Sequence, residues 1–386
     1  MTTADLPRDA RRAGVRDVAA LAGVSTQTVS RVINDHPSVR DETRRRVQEA
    51  MLTLGYRVNN AARTLGTRRT RTLGVIASNA ALFGPAAGVV ALEAAARAAG
   101  RWVTTAYADA SDETSTAAAL EHLLSQGVDG IVVVAPRVTT VETLLRQDAG
   151  LERGRAQQSA AERTTAEQTT AEQTTDDQEK VDRGTVTERT ATTRGGPAKR
   201  QAGVRIAALP TDGGVELQAQ ATKLAVQHLI DLGHRRIARL GGPDDWLEEA
   251  ARAGGFDRAM RRAGLSETAR WSGDWSAASG AAMAERVAAS IRSDGTTAVV
   301  VTNDQMALGL MSGLAARGLS VPDDVSVVGF DDNTDAAYYS PALTTVRVDI
   351  DGEARRCVAA VLDVDDVEVS VVPPRLVIRQ STAPPR

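Results

Sequence analysis

The stretch that most constrains this chain is Val15 to Asn34. Val18, Leu21, Val24, Val29 and Val32 recur at helical spacings, which predicts two short helices sharing a small core. Between them lies Ala22-Gly23-Val24-Ser25. Gly23 can take the positive φ that a tight turn needs, and Ser25 can cap the second helix. Two helices joined this way outline a helix-turn-helix, whose second helix enters the DNA major groove.

Thr26, Gln27, Ser30, Arg31 and Asn34 fall away from the Val29/Val32 face, with Thr28 on the same helix. All can hydrogen-bond, and a bidentate Gln or Arg suits adenine or guanine edges. A third helix is predicted from about Asp41, which can cap it, with Val47, Ala50, Met51 and Leu54 as its inner stripe and Gly55 at its end. Arg44, Arg45 and Arg46 lie on or near the opposite face. Alone they read as a solvated surface; beside the turn and the cap, phosphate contact is the stronger reading. Residues 1–72 hold 14 arginines against seven carboxylates, a balance of +7 in a chain of net charge −3, which leaves −10 on the rest. A basic head on an acidic body fits a DNA module joined to something that does not bind DNA.

The 386 residues are enough for two or three domains. The single cysteine, Cys357, excludes an intrachain disulfide framework and fits a reducing compartment. With no basic-then-apolar leader pattern and no apolar run of 18 residues, the reading is a soluble cytoplasmic protein that does not enter a membrane.

From Leu73 the texture changes. Strands are predicted at Leu73–Ala77, Trp102–Tyr107 and Gly130–Val134, with helices at Ala86–Ala99 and Thr114–Gln126 between them. This βαβαβ alternation argues a parallel sheet covered by helices. No Gly-x-Gly-x-x-Gly follows the first strand, so a dinucleotide fold is unsupported. Residues 150–203 break the pattern: Thr164–Gln168 repeats as Thr169–Gln173, and large apolar residues nearly vanish. Such a composition cannot offset its ordering entropy, so it reads as a disordered insertion. A strand at Val204–Leu209 follows. A second α/β run then places helices at Glu216–Leu232, Trp246–Ala263, Ala277–Ser293 and Gln305–Arg317. Its strands fall at Ile237–Gly241, near Arg270, at Ala298–Thr302 and at Val325–Phe330. Two such lobes make a cleft, and ligands of open parallel sheets sit beyond the carboxyl ends of the strands.

Asn303 and Asp331 each follow a predicted strand and face that crevice, where an amide and a carboxylate suit hydroxyl groups. Trp275 can offer a flat apolar face to a sugar ring, and Arg252 can fork onto hydroxyls or a carboxylate. Each has an ordinary alternative: turn chemistry for Asn303 and Asp331, core packing for Trp275, a surface cation for Arg252. His36, His122, His228 and His234 are scattered, and no nucleophile–base pair or metal-ligand cluster is visible. An enzyme, a metal and a cofactor are therefore not expected.

The run Arg16–Ser25, then Thr28-Val29-Ser30-Arg31-Val32-Ile33-Asn34, Val39–Glu42 and Leu54–Asn59, resembles the headpiece of lactose-repressor-type regulators. The likeness continues through Gly273-Asp274-Trp275-Ser276, Asn303–Gly309, Val327–Asp332 and Pro341–Val346 into the family's effector core. It implies an all-α helix-turn-helix headpiece joined to an α/β two-lobe core like that of periplasmic binding proteins. After a flexible end at 1–14, expected from its scattered charge and lack of periodicity, the implied parts are a headpiece at 15–58, a hinge helix and linker at 59–72, and a sugar-binding and dimerisation core at 73–386.

It also implies that Ala61, Arg63 and Leu65 lie in a hinge that pairs in the minor groove, with Leu65 as an apolar wedge. In the core it puts Ser78, Leu82, Pro85, Arg252, Trp275, Asn303 and Asp331 around a ligand. One acidic contact of the family falls near Pro210–Asp212, where proline cannot supply a carboxylate. The resemblance thus implies a repressor released from double-stranded operator DNA by a small sugar, a galactoside. Rival readings are a corepressor mechanism and a sugar-binding receptor without a DNA function. Some members end in a leucine heptad that builds tetramers; Ser381–Arg386 has none, so a homodimer is expected.

Overall fold

Apolar residues at helical spacing form three short helices at the amino end. The computed structural model describes residues 13–34, 36–56, 70–78, 81–109, 112–137, 140, 204–362 and 369–386. The chain divides into two compact units, Met1–Thr70 and Arg71–Arg386. The segments read as a hinge, including Ala61, Arg63 and Leu65, and as an insertion lie outside the described residues.

In the first unit α1 (Val15–Ala22), α2 (Thr26–Ile33) and α3 (Asp41–Thr53) enclose a core of Val18, Ala19, Ala22, Val29, Val32, Val47 and Ala50. Burying each of the valines contributes about 1.5–3 kcal/mol. The turn is built as its residues predict: Gly23 has φ 63°, and Ser25 Oγ accepts from the Thr28 N–H at 3.1 Å. Two expectations are corrected. Leu21 is exposed rather than in the core, because the buried stripe of α1 runs through Val18, Ala19 and Ala22 and the helical repeat turns Leu21 to its side. Asp41 does not cap α3; Arg40 holds the cap position, and Asp41 and Glu42 sit in the first turn, where their charge complements the helix dipole.

The second unit holds two sheets. In the first lobe β1 (Thr72–Ala77), β2 (Trp102–Tyr107), β3 (Gly130–Val134) and β4 (Arg205–Leu209) form a parallel sheet in the order β2-β1-β3-β4. Helices α4 (Phe83–Ala98) and α5 (Glu113–Ser125) connect its strands.

The second lobe contains α6 (Asp212–Asp231), β5 (Ile237–Gly241), α7 (Leu247–Arg262), β6 (Arg270–Ser272), α8 (Ala277–Ser293) and β7 (Ala298–Val301). It continues through α9 (Asp304–Ala315), β8 (Ser326–Phe330) and β9 (Thr344–Arg347). After α10 (Ile350–Leu362), β10 (Arg375–Val377) completes a six-stranded sheet in the order β10-β9-β8-β7-β5-β6, antiparallel only at β10.

The lobes are less alike than the sequence suggests. Helix α10, absent from the expected elements although Ala354, Cys357, Val358 and Val361 recur at helical spacing, leaves the second sheet and packs on α4 and β4 of the first lobe before the chain returns to pair β10 with β9. Helix α6 starts at Asp212, four residues before the expected Glu216. Thr211 Oγ1 caps it by accepting from the Gly214 N–H at 3.3 Å. The pair Gly213-Gly214, ahead of the expected helix start, lies in the first turn and Gly214 serves close packing: a Cβ there would lie 2.2 Å from Glu353 Oε2 on α10. Helix α4 likewise begins three residues before the expected Ala86, at Phe83.

Candidate functional site

The carboxyl ends of β3, β4, β5, β7 and β8 open onto one cleft between the lobes. Leu82, Pro85, Arg252, Trp275, Asn303 and Asp331 all line it. Ser78 does not join them. It sits at the end of β1 over a smaller cavity, with Ala108, Thr116 and Thr140. Pro210 lines the cleft but brings no charge, and Asp212 is exposed in the first turn of α6.

Arg252 projects from α7 into the centre of the site. Its Nε donates to Gln218 Oε1 at 2.9 Å, Nη1 donates to the Thr302 carbonyl, and Nη2 lies 3.5 Å from Asp331 Oδ1. The guanidinium carbon stands 3.9 Å from the Phe330 ring centroid and 5.6 Å from that of Trp275. Arg252 is therefore a fixed fork, not a surface cation.

Asn303 does two jobs at once. Its Oδ1 accepts from the Met306 N–H at 2.9 Å, capping α9, while Nδ2 donates to the Trp275 carbonyl at 2.9 Å. Turn chemistry and cleft lining are thus the same fact. Trp275 has φ 73° and Asp331 φ 108°, conformations that cost non-glycine residues about 1–3 kcal/mol and cluster where ligands are held. The Trp275 ring is only 5% exposed, backed by Gly242, where a Cβ would lie 2.2 Å from the indole.

Sequence reasoning missed several residues. Trp246 stands edge-on to Trp275 at 5.9 Å between centroids. Glu248 shares the helix face of Arg252 at i, i+4, a spacing visible in the sequence. Gln218 carried no signal of its own. Beneath the site Arg239 pairs with Glu249, both buried. Glu249 Oε2 also accepts from the Gly242 N–H at 2.9 Å and from Thr302 Oγ1 at 2.7 Å. Removing one partner of such a pair costs about 3–5 kcal/mol, so this network fixes the ends of β5 and β7.

Burial dominates the electrostatics. It pushes Asp331 up to about 6 against the pull of Arg252. Burial, aided by the Asp331 charge, raises Asp304 to about 8 even though Thr345 Oγ1 and the Asn333 N–H donate to it. Burial lifts Glu248 to about 7. Among the described residues no group of three or more His, Cys, Asp and Glu side chains is placed to hold a metal ion.

In the headpiece Thr26, Gln27, Ser30 and Arg31 are exposed along one side of α2. Thr28 is half-buried and bonded to Ser25 Oγ at 2.9 Å, and Asn34 ends the helix. Thr28 and Asn34 thus have structural duties the first four lack. Arg45 and Arg46 are exposed, while Arg44 donates to the His36 carbonyl at 3.2 Å.

A capped helix-turn-helix joined to a two-lobed α/β body with a polar cleft defines a class of transcriptional regulators. Residues 10–59 match the family described as bacterial regulatory proteins, lacI family, and residues 226–382 match a periplasmic binding protein-like domain. The lactose operon repressor of Escherichia coli (strain K12) is 31% identical over 86% of this chain and 79% of its own. The HTH-type transcriptional regulator CelR of Thermobifida fusca is 32% identical over 87% of each chain. Among solved structures, the Lac repressor dimer bound to operator and the anti-inducer ONPF superposes with a TM-score of 0.70 at 28% identity, covering 97% of this chain and all of that one. A CelR–cellobiose complex gives 0.59 at 25% identity over 96% of this chain. The chain belongs to the lacI family of transcriptional regulators, and these relatives are regulators rather than enzymes. Among the described residues no helix is long and apolar enough to cross a membrane.

Proposed function

We propose that this chain is a cytoplasmic homodimeric repressor that leaves its operator when a small sugar, a galactoside, enters the cleft. The observation that carries the reading is the convergence of Arg252, Trp275, Asn303 and Asp331 on one pocket beside strained backbone. Fork, ring, amide and carboxylate together suit a polyol. The relatives support the sugar class: one was solved with operator and ONPF, another with cellobiose. The galactoside rests on the likeness of Gly273–Ser276, Asn303–Gly309 and Val327–Asp332 to the lactose repressor.

In this reading Thr26, Gln27, Thr28, Ser30, Arg31 and Asn34 meet the major groove, and Ala61, Arg63 and Leu65 meet the minor groove as a paired hinge. Exposed Val90, Trp102, Leu308 and Tyr338 offer apolar area that a second copy would cover. The sugar must bind the DNA-incompetent arrangement more tightly, a coupling of about 1–3 kcal/mol in typical allosteric proteins.

The test is a gel shift on DNA upstream of the protein's own gene, titrated with lactose, galactose and cellobiose. Release by lactose or galactose, with Gln27→Ala or Arg31→Ala relaxing base preference, is the expected result. Retention strengthened by sugar would make it a corepressor system, and indifference to every duplex would end the proposal.

A further inference from the structure

Three buried polar atoms in the wall of the cleft have no partner in the protein: Glu248 Oε2, Trp246 Nε1 and Trp275 Nε1. The two indoles are 7% and 5% exposed, so bulk water does not satisfy them. Leaving such groups unpaired costs about 1–3 kcal/mol each, and a native chain retains that cost where a ligand removes it. An indole N–H only donates and an ionised carboxylate only accepts. A hydroxyl does both, so one sugar hydroxyl can accept from an indole while donating to Glu248.

The charges lining the cleft narrow the ligand further. Four carboxylates, Glu248, Asp331, Asp349 and Glu353, face one cation, Arg252. Asp349 accepts from the N–H groups of Gly352 and Val372 at 2.9 and 2.8 Å, Glu353 pairs with Arg356 at 2.6 Å, and Asp331 faces Arg252. Glu248 alone of the four has an oxygen buried without a partner. Above about pH 7, where Glu248 is ionised, a phosphate or carboxylate on a ligand would meet its charge at low dielectric.

The segment that carries it is held in place. The Leu247 N–H donates to the Pro136 carbonyl at 3.1 Å across the lobes, and Arg137 pairs with both Asp245 and the Trp246 backbone. A site fixed before the ligand arrives loses less freedom on binding.

We infer that Trp246 and Glu248 form a second subsite beside the Arg252–Asp331 corner, and that it selects uncharged two-ring glycosides over anionic sugars. The inference rests on the sugar-effector reading and deepens it: Glu248 lies one turn, roughly 6 Å along the axis, from Arg252 on α7, a separation that seats a second ring beside the one held at Arg252 and Asp331.

Calorimetry on the full chain at pH 8, where Glu248 is ionised, with galactose, lactose, cellobiose and the 6′-phosphates of the two disaccharides tests it. An uncharged disaccharide should bind at least tenfold more tightly than galactose and than its own phosphate. Glu248→Gln should weaken the uncharged disaccharide about tenfold and shrink the discrimination against phosphate, whereas Glu248→Asp, which keeps the charge, should preserve that discrimination. Thermal melts establish that each variant is folded. Equal binding of both forms by the native chain, or native affinities in Glu248→Gln, overturns the subsite. Operator release by galactose as efficient as by either disaccharide overturns the two-ring assignment while the sugar reading stands. Absence of binding by every sugar removes both.

Discussion

The two walls of the cleft differ in chemistry. The strands and α4 of the first lobe contribute Leu82, Pro85, Gly88, Val134, Ala135 and Leu209, none with a polar side chain, and α10, packed on that lobe, adds Glu353, which is already paired with Arg356. The second contributes Gln218, Glu248, Arg252, Trp275, Asn303 and Asp331. Two of the strained residues, Trp275 and Asp331, stand on the second wall, and Ala135, with φ 50°, stands on the first. Apolar cover gains free energy from any ligand surface it removes from water, with little sense of direction. Forks, amides and carboxylates reward one orientation and penalise a ligand that leaves them unpaired. Most of the groups that set which molecule is held therefore stand on the second lobe, and the first supplies mainly apolar cover.

This contrast can be broken in three places. The largest effect is expected from Asp331→Ala, which removes a hydroxyl acceptor and leaves Arg252 buried without its carboxylate. Disaccharide affinity measured by calorimetry should fall by about 10- to 100-fold, or 1.5–3 kcal/mol. Native affinity in that variant would take Asp331 out of the site.

The next effect sharpens the picture of the polar wall. Glu248 ionises near 7 in the fold and near 4.5 in an unfolded chain, so the folded state holds more protons between those values. Stability conferred by the protonated form is therefore lost as pH rises through that window. Glu248→Gln should raise the stability of the ligand-free protein by about 1–2 kcal/mol at pH 8 and by little at pH 4.5. Denaturant melts at the two pH values measure it, and a gain that does not depend on pH would mean that burial of the charge is not the cause.

The smallest effect belongs to the apolar wall. Pro85→Ala should change disaccharide affinity by less than about threefold, within the usual range for substitutions that remove no polar contact. A loss as large as that of Asp331→Ala would show the first lobe to be orienting the ligand as well.

Much of this was legible beforehand, for identifiable reasons. The turn at Gly23 and the cap at Ser25 depend on neighbours three residues apart, and β3, β5 and α8 fall at their expected bounds because their apolar runs are local. Asn303 and Asp331 could be singled out because a strand's carboxyl end is marked by where its apolar run stops. Ser78, which the family resemblance put at the ligand, lines a separate cavity, because which strand ends share a cleft depends on how the two sheets face each other.

What the sequence determined by itself was therefore the order of elements, the helix-turn-helix and the candidate polar residues, all governed by short-range periodicity, capping and turn chemistry. Only the tertiary structure decided that α10 crosses back to the first lobe, that Gly213-Gly214 lies in the first turn of α6, and that Trp246 and Glu248 belong to the cleft. Those outcomes depend on contacts between residues more than a hundred positions apart, such as Thr211 with Glu353 at 2.9 Å and Leu247 with Pro136 at 3.1 Å, and no local pattern encodes which distant surface a residue will meet.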